Sequence, residues 1–300
     1  MLYAPATSAR GTDEEVGVLQ ELKPGVYVET AYEGGNVGAI LCQRGALLVD
    51  TPMLPPDSRR WQVALHQLGV STIYGIVNTD YHPEHFLGNA FLMPTRIFGH
   101  ELAAKQIARY RGSSLEQFSS IYREANPQLA DEISRIEVRG PEVSVADRTT
   151  LNLGDRHVEI LYLHGHTPAS LGVYLPEERV LFAGDNMVHD EHPIMSQANS
   201  AAWLEMLERI RQMNVEVIVP GSGSVCDPGS LGPLVEYITE VRRRVTDLYL
   251  AGASRRECVE KAGMLDFFPF SEEQAARMKR RRRENVERVY AEIRTAQTRR

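Results

Sequence analysis

Five short apolar runs in this chain each end in residues able to bind a metal or move a proton, and that repetition limits the folds open to it. ALLVD (46–50) ends at Asp50. IYGIV (73–77) leads into NTDYHPEH, with Asp80, His82, Glu84 and His85. ILYL (160–163) leads into HGHTPAS, with His164 and His166. VLFAGD (180–185) ends at Asp185, and VIVP (217–220) is followed by GSGS with Ser222. Runs this short, rich in β-branched residues and bounded by turn residues, read as buried strands. In α/β sheets the loops at the carboxyl ends of strands aim side chains into one crevice. A single strand-end aspartate is ordinarily a turn or a helix cap. Five such ends in one chain point to a shared site.

The rest of the chain fits an α/β reading. Strands are expected at 25–32, 37–43, 95–99, 142–146, 157–163, 171–175, 179–183 and 215–220. Residues 55–69 have helical spacing, with Trp61, Val63, Ala64 and Leu68 on or near one face. A mainly helical segment spans 100–135, another helix lies near 200–213, and the pattern is helical from 229 to the end. The last helix starts at Ser271 and carries MKRRRREN (278–285), read as a solvated face with Glu284 and Glu287 interleaved and Arg288 four residues after Glu284. No internal repeat or low-complexity linker cuts the 300 residues apart.

Composition narrows the class of partner. Hydrophobic residues at 43% leave enough apolar material for a large core. A net charge of -7 argues against a general nucleic-acid binder, whose footprint is basic. Cys42, Cys226 and Cys258 are few, odd in number and far apart, which suits a reducing cytoplasm better than a disulfide framework. The opening MLYAPATSARGTDEEVG lacks the basic and apolar regions of a signal peptide, and no run is long enough to span a membrane. The expectation is a soluble cytoplasmic protein with a small-molecule substrate, no nucleic-acid or membrane partner, and homo-oligomerisation left open.

The ordered set of Asp50, the loop 79–85, GHTPAS (165–170), FAGD (182–185) and VPGSG (219–223) resembles the metallo-β-lactamase fold superfamily. The resemblance covers about residues 20–226 and implies a four-layer αββα sandwich with its metal site at one edge. It implies a metal-binding domain over 1–228 with a helical insertion, and a C-terminal helical extension over 229–300 packed on it. The family's loop reads T-H-x-H-x-D-H, whereas this chain has Thr79-Asp80-Tyr81-His82-Pro83-Glu84-His85. Its last element, G-H-G, is here Gly221-Ser222-Gly223. Carried over by position, one metal would be held by Asp80, His82 and His166, sharing Asp185. A second would be held by Glu84, His85 and Asp185, with Ser222 where a histidine normally binds. Asp50 would orient a ligand imidazole, and with Asp185 completes the expected catalytic pair.

The substitutions have a chemical direction. Three histidines and three carboxylates replace the usual five and two, so two divalent ions with one hydroxide would sum to zero charge. Oxygen-rich donors shift preference from zinc towards iron or manganese. Two of the three changed positions keep a coordinating group, which argues for a retuned site of one or two ions. The implied activity is hydrolysis of an ester, lactone or thioester by a metal-bound hydroxide. The alternatives are a non-haem iron oxygenase or oxidase on the same fold, and a non-catalytic binder with a vestigial site. Tyr81, His189, His192 and Ser222 are candidate substrate contacts. His164, two residues before His166, is expected to point elsewhere, and His66 and His100 read as structural or exposed. No G-x-x-x-x-G-K-[ST] phosphate loop or G-x-S-x-G nucleophile elbow occurs.

Overall fold

The computed structural model describes residues 19–298. The opening stretch read as lacking a signal peptide, residues 1–17, lies outside them.

Seven strands form a first mixed sheet in chain order: β1 (Gln20–Lys23), β2 (Val26–Glu29), β3 (Val37–Cys42), β4 (Gly45–Val49), β5 (Ile73–Val77), β6 (Ile97–His100) and β7 (Val143–Val145). Five form a second: β8 (Arg148–Asn152), β9 (His157–Tyr162), β10 (Leu171–Leu175), β11 (Val180–Val188) and β12 (Val217–Ser222), again in chain order. Strands β4 to β7 pair in parallel, as do β11 and β12. Period-two alternation sorts their side chains. Val26, Val28, Ile40, Leu47 and Val49 face inward and meet Val158, Ile160, Val173, Leu175 and Phe182 of the second sheet. Ala39, Ala46 and Leu48 face outward. Gly38 lies against the second sheet, and a side chain there would overlap the Phe182 ring.

Helices cover both outer faces. Helix α1 (Pro55–Gln67) lies on the first sheet through Trp61 and Leu65. Two short helices, α2 (Pro83–Phe86) and α3 (Asn89–Leu92), follow β5. The insertion forms α4 (Glu101–Ile107), α5 (Ser113–Ser120) and α6 (Pro127–Ser134), which share an apolar cluster with Phe86 and Leu87 of the candidate metal loop. On the second sheet lie α7 (Ser200–Gln212), α8 (Leu231–Leu250), α9 (Arg255–Lys261) and α10 (Ala275–Thr298). Their stripes, such as Leu234, Ile238, Val241 and Val245 on α8, enter one core with Leu161, Leu181 and Ile218. The architecture is the four-layer αββα sandwich expected from the resemblance.

Several details differ from expectation. The strands β1 and β8 were not anticipated, because both are short and largely exposed. Val63 is 58% exposed, so the buried face of α1 is the i, i+4 pair Trp61 and Leu65. Strand β11 does not end at Asp185 but runs on to Val188, with its register broken around Gly184. The basic run on α10 is not a plain solvated face: Arg281 and Arg282 donate to the carbonyls of His192 and Val259. Arg288 pairs with Glu292 rather than Glu284, and donates to the Ala198 carbonyl. Among the described residues no helix is long and apolar enough to cross a membrane.

Candidate metal centre

Four of the five polar strand ends meet at one edge of the sandwich. Asp50, just past β4, has φ 56°, a conformation that turns its carboxylate back under the next strand end. There it accepts from Thr79 N (2.7 Å) and Thr79 Oγ1 (2.6 Å), and its Oδ2 lies 2.8 Å from His85 Nδ1. That contact sets an Nδ1–H against Asp50 and turns Nε2 towards the cluster, where its lone pair would be available to a cation that displaces a proton. Asn78 and Thr51 both donate to the His85 carbonyl, holding the end of α2. On β11, Gly184 has φ 54° and packs on Thr79, and the broken register there aims Asp185 across the gap. Gly221 on β12 must lack a side chain, because a Cβ would overlap Asp185 Oδ1.

His166 arrives from the loop after β9. Its backbone N–H donates to Asn186, and its ring stands edge-on to Trp203. Trp203 in turn donates to the Asn186 carbonyl at 2.9 Å. A Cβ on Gly165 would lie 2.8 Å from Trp203 Cα, so the glycine of GHTPAS allows helix α7 to approach the loop.

Ligand-capable atoms of Asp80, His82 and His166 lie within 4.8 Å of one another, as do those of His82, Glu84 and Asp185. His166 Nε2 is 3.4 Å from His82 Nδ1, 3.5 Å from Asp80 Oδ2 and 3.6 Å from Asp185 Oδ2. His85 Nε2 is 3.7 Å from Asp80 Oδ1 and from Asp185 Oδ1. Two donors about 2.1 Å from one tetrahedral ion stand about 3.4 Å apart, so these spacings suit a cation. Two buried atoms, His85 Nε2 and Glu84 Oε2, have no hydrogen-bond partner, a costly state unless another group is meant to occupy the space. The donor set therefore fits a metal. Both Asp80 and Asp185 present one oxygen to His85 and the other to His166, whereas the resemblance implied sharing by Asp185 alone. Glu84 groups with His82 and Asp185, where the resemblance paired it with His85.

Charge is concentrated here. Burial disfavours ionised Asp80, but His82, His85 and His166 outweigh it and hold the carboxyl well below its usual range. Burial likewise opposes a charged His85, yet Asp50, Asp80 and Asp185 raise its pKa well above the ordinary value. For His166 burial prevails and the pKa falls. Burial raises the pKa of Glu84.

A cavity of about 360 Å³ opens onto this cluster, lined by Tyr81, His82 and Glu84 from the loop, with Gln106 and Tyr110 from the helical insertion and its continuation. Gln197 and the α10 residues Arg277, Arg280 and Arg281 also line it. Tyr81 donates its hydroxyl to Gln197. The other proposed substrate contacts lie elsewhere. His189 bonds Ser224, and His192 is buried against Tyr237 and Phe268 with Nε2 at the Phe268 carbonyl. Ser222 pairs with Val188 in the sheet and is not among the residues lining the cavity. His164 stacks on Tyr162, away from the cluster, and His100 caps α4. Sequence reasoning missed the arginine wall and the Asn186–Trp203 support. Only Gly165 hinted at the latter.

A model of the metallo-beta-lactamase superfamily matches residues 33–222, and the chain belongs to that superfamily. It is 25% identical over 156 residues to the acyl-coenzyme A thioesterase MBLAC2 of Bos taurus and to that of Homo sapiens, a stretch covering 48% of this chain and 54% of each relative. The chain thus spans about half the length of the curated relatives it matches. Among solved structures, the sec-alkylsulfatase Pisa1 from Pseudomonas sp. superposes with a TM-score of 0.67 at 15% identity, covering 91% of this chain and 50% of that one. A metallo-beta-lactamase from Pontibacter korlensis gives 0.56 at 19% identity, covering 74% and 99%. At these identities the structures share the fold.

Proposed function

We propose that the chain is a metal-dependent hydrolase acting on an ester, lactone or thioester. The observation that carries this reading is the pair of buried, unpartnered donor atoms, His85 Nε2 and Glu84 Oε2, inside a cluster of three histidines and three carboxylates beside a cavity. Asp80, His82 and His166 would hold one ion, with His85 and Asp185 beside them, and Glu84, which groups with His82 and Asp185, would extend the set towards a second. Bound there, a metal supplies Lewis acidity towards a carbonyl oxygen and towards water. Asp50 keeps His85 in the tautomer that offers Nε2. Tyr81, fixed by Gln197, and Tyr110 wall the cavity and limit water around a bound acyl group. The name of the two curated relatives, a thioesterase, supports the acyl end of the range.

Metal analysis of protein purified without added metal, paired with hydrolysis of 4-nitrophenyl and thioester substrates, tests the proposal. We expect about one or two ions per chain, and loss of both metal and turnover in His82→Ala and His166→Ala. Retained turnover in either variant would place the site elsewhere. The carboxylate-rich donor set also favours iron, which is the reading left standing if near-stoichiometric iron appears with an absorption band that bleaches on reduction and no hydrolysis.

A further inference from the structure

The reaction cavity has one wall that hydrolysis itself does not require. Helix α10 presents Arg277, Arg280 and Arg281 to it, against a single acidic side chain from the same helix, Glu284. The three arginines are not equivalent. Arg281 is committed to the fold: it donates to the His192 carbonyl at 2.5 Å and lies 3.9 Å from Glu191. Arg280 has only a loose i, i+4 pair, 3.9 Å from Glu284, of a kind that contributes little in solvent. Arg277 makes no hydrogen bond or ion pair among the described residues, and its Nε is buried without a partner. The carboxylate that senses its charge is Glu33, which is itself bound by the Tyr122 hydroxyl.

Guanidinium groups with free forks at the wall of a cavity select planar or tetrahedral oxyanions through paired N–H donors. The same cavity is lined by His82 and Glu84 of the metal loop, so a molecule filling it would meet residues of the cluster as well as α10. The cavity also suits a small molecule rather than a polymer, in a chain whose net charge is -7.

We infer that Arg277 and Arg280 form a substrate-anion subsite, and that the preferred substrate is an ester or thioester carrying a phosphate, sulfate or carboxylate group apart from the bond that is cleaved. This rests on the hydrolase reading for the words ester and thioester. The subsite itself can be tested without turnover.

Two measurements on the metal-loaded full-length protein decide it. The first is calorimetric titration with inorganic sulfate. We expect binding that weakens about tenfold or more in Arg277→Ala/Arg280→Ala, as loss of charge-assisted hydrogen bonds predicts, and that is partly kept in Arg277→Lys/Arg280→Lys. Arg283→Ala removes an exposed charge of the same run outside the cavity and should leave sulfate binding intact. Sulfate binding that is absent from the wild type, or unchanged in the double alanine variant because the anion sits on the metals, overturns the subsite. The second compares phenyl acetate with 4-acetoxybenzoate and 4-acetoxybenzenesulfonate. The ratio of kcat/KM for anionic over neutral ester should exceed one, and fall about tenfold in the double alanine variant. Whichever anionic ester loses more identifies the preferred oxyanion. No turnover of any ester together with arginine-dependent sulfate binding would sink the hydrolase reading and leave the subsite standing. Because the buried face of α10 is Met278, Val286, Val289 and Ile293, the variants should fold, with thermal melting as the check.

Discussion

At the scale of single residues, the centre is governed by groups that hold other groups. Asp50 touches no cavity atom, yet it sets the tautomer of His85 and is itself pinned by both donors of Thr79. Asp50→Asn keeps the shape but can offer an N–H where an acceptor is needed. Metal affinity should fall about 10- to 100-fold, measured by competition with a chromophoric chelator, and unchanged affinity would remove Asp50 from the centre. His82 provides a pH test. Burial opposes its charged form, but Asp80, with help from Glu84 and Asp185, raises its pKa to about 9. Without metal the ring is therefore protonated at neutral pH, and its pairing stabilises the fold fully below the ordinary imidazole pKa of about 6.5. That contribution fades as pH rises through about 9. A cation must displace the proton, so uptake at pH 7 should release acid and apparent affinity should weaken as pH falls. Calorimetry in buffers of different ionisation enthalpy reads this directly, and proton-neutral uptake would contradict it. The identities of Asp80, His82, His166 and Asp185 could be read from sequence because their strand ends carry them. Asn186 and Trp203 could not, since they act through a loop and a helix distant in the chain.

Secondary elements were legible where burial imposes a period and obscure where it does not. Strands β3, β4 and β10 are buried on one or both faces and stood out as apolar runs, whereas β1 and β8 lie at sheet edges and carry mostly polar side chains. Helix α1 shows how close neighbours mislead. Val63 belongs to an apolar stretch by composition, but two helical steps of about 100° each separate it from both Trp61 and Leu65, which turns it to solvent while they enter the core. Trp61→Ala should cost about 3–5 kcal/mol in urea denaturation. Val63→Ala should stay within about 0.5 kcal/mol of wild type. Comparable losses at both positions would mean that α1 is rotated from the orientation described. The basic run of α10 departs from a plain solvated face for a related reason: charge pattern reports on solvation, but not on which carbonyls or cavities a long side chain can reach.

For the whole molecule, the outer apolar face of the second sheet is covered, among the described residues, by α7 to α10. Leu234, Tyr237, Ile238, Val241, Val286 and Val289 all lie in that one core. Truncation to residues 1–228 should expose it and yield insoluble or aggregated protein, assessed by size-exclusion chromatography. A soluble, cooperatively melting fragment would show that the extension is dispensable for folding. The layered plan was readable because the five ordered strand ends and their loops specify it, whereas the joining of α10 to the metal loop at one cavity depends on three-dimensional closure. That joining separates two kinds of information along the chain. The donors that would bind metal are all encoded between Asp80 and Asp185, and the arginine wall is encoded between Arg277 and Arg281. Changes in the later stretch can therefore alter which molecules are accepted without disturbing the donors, so a lineage of such chains could diversify in diet while its reactive centre stays the same.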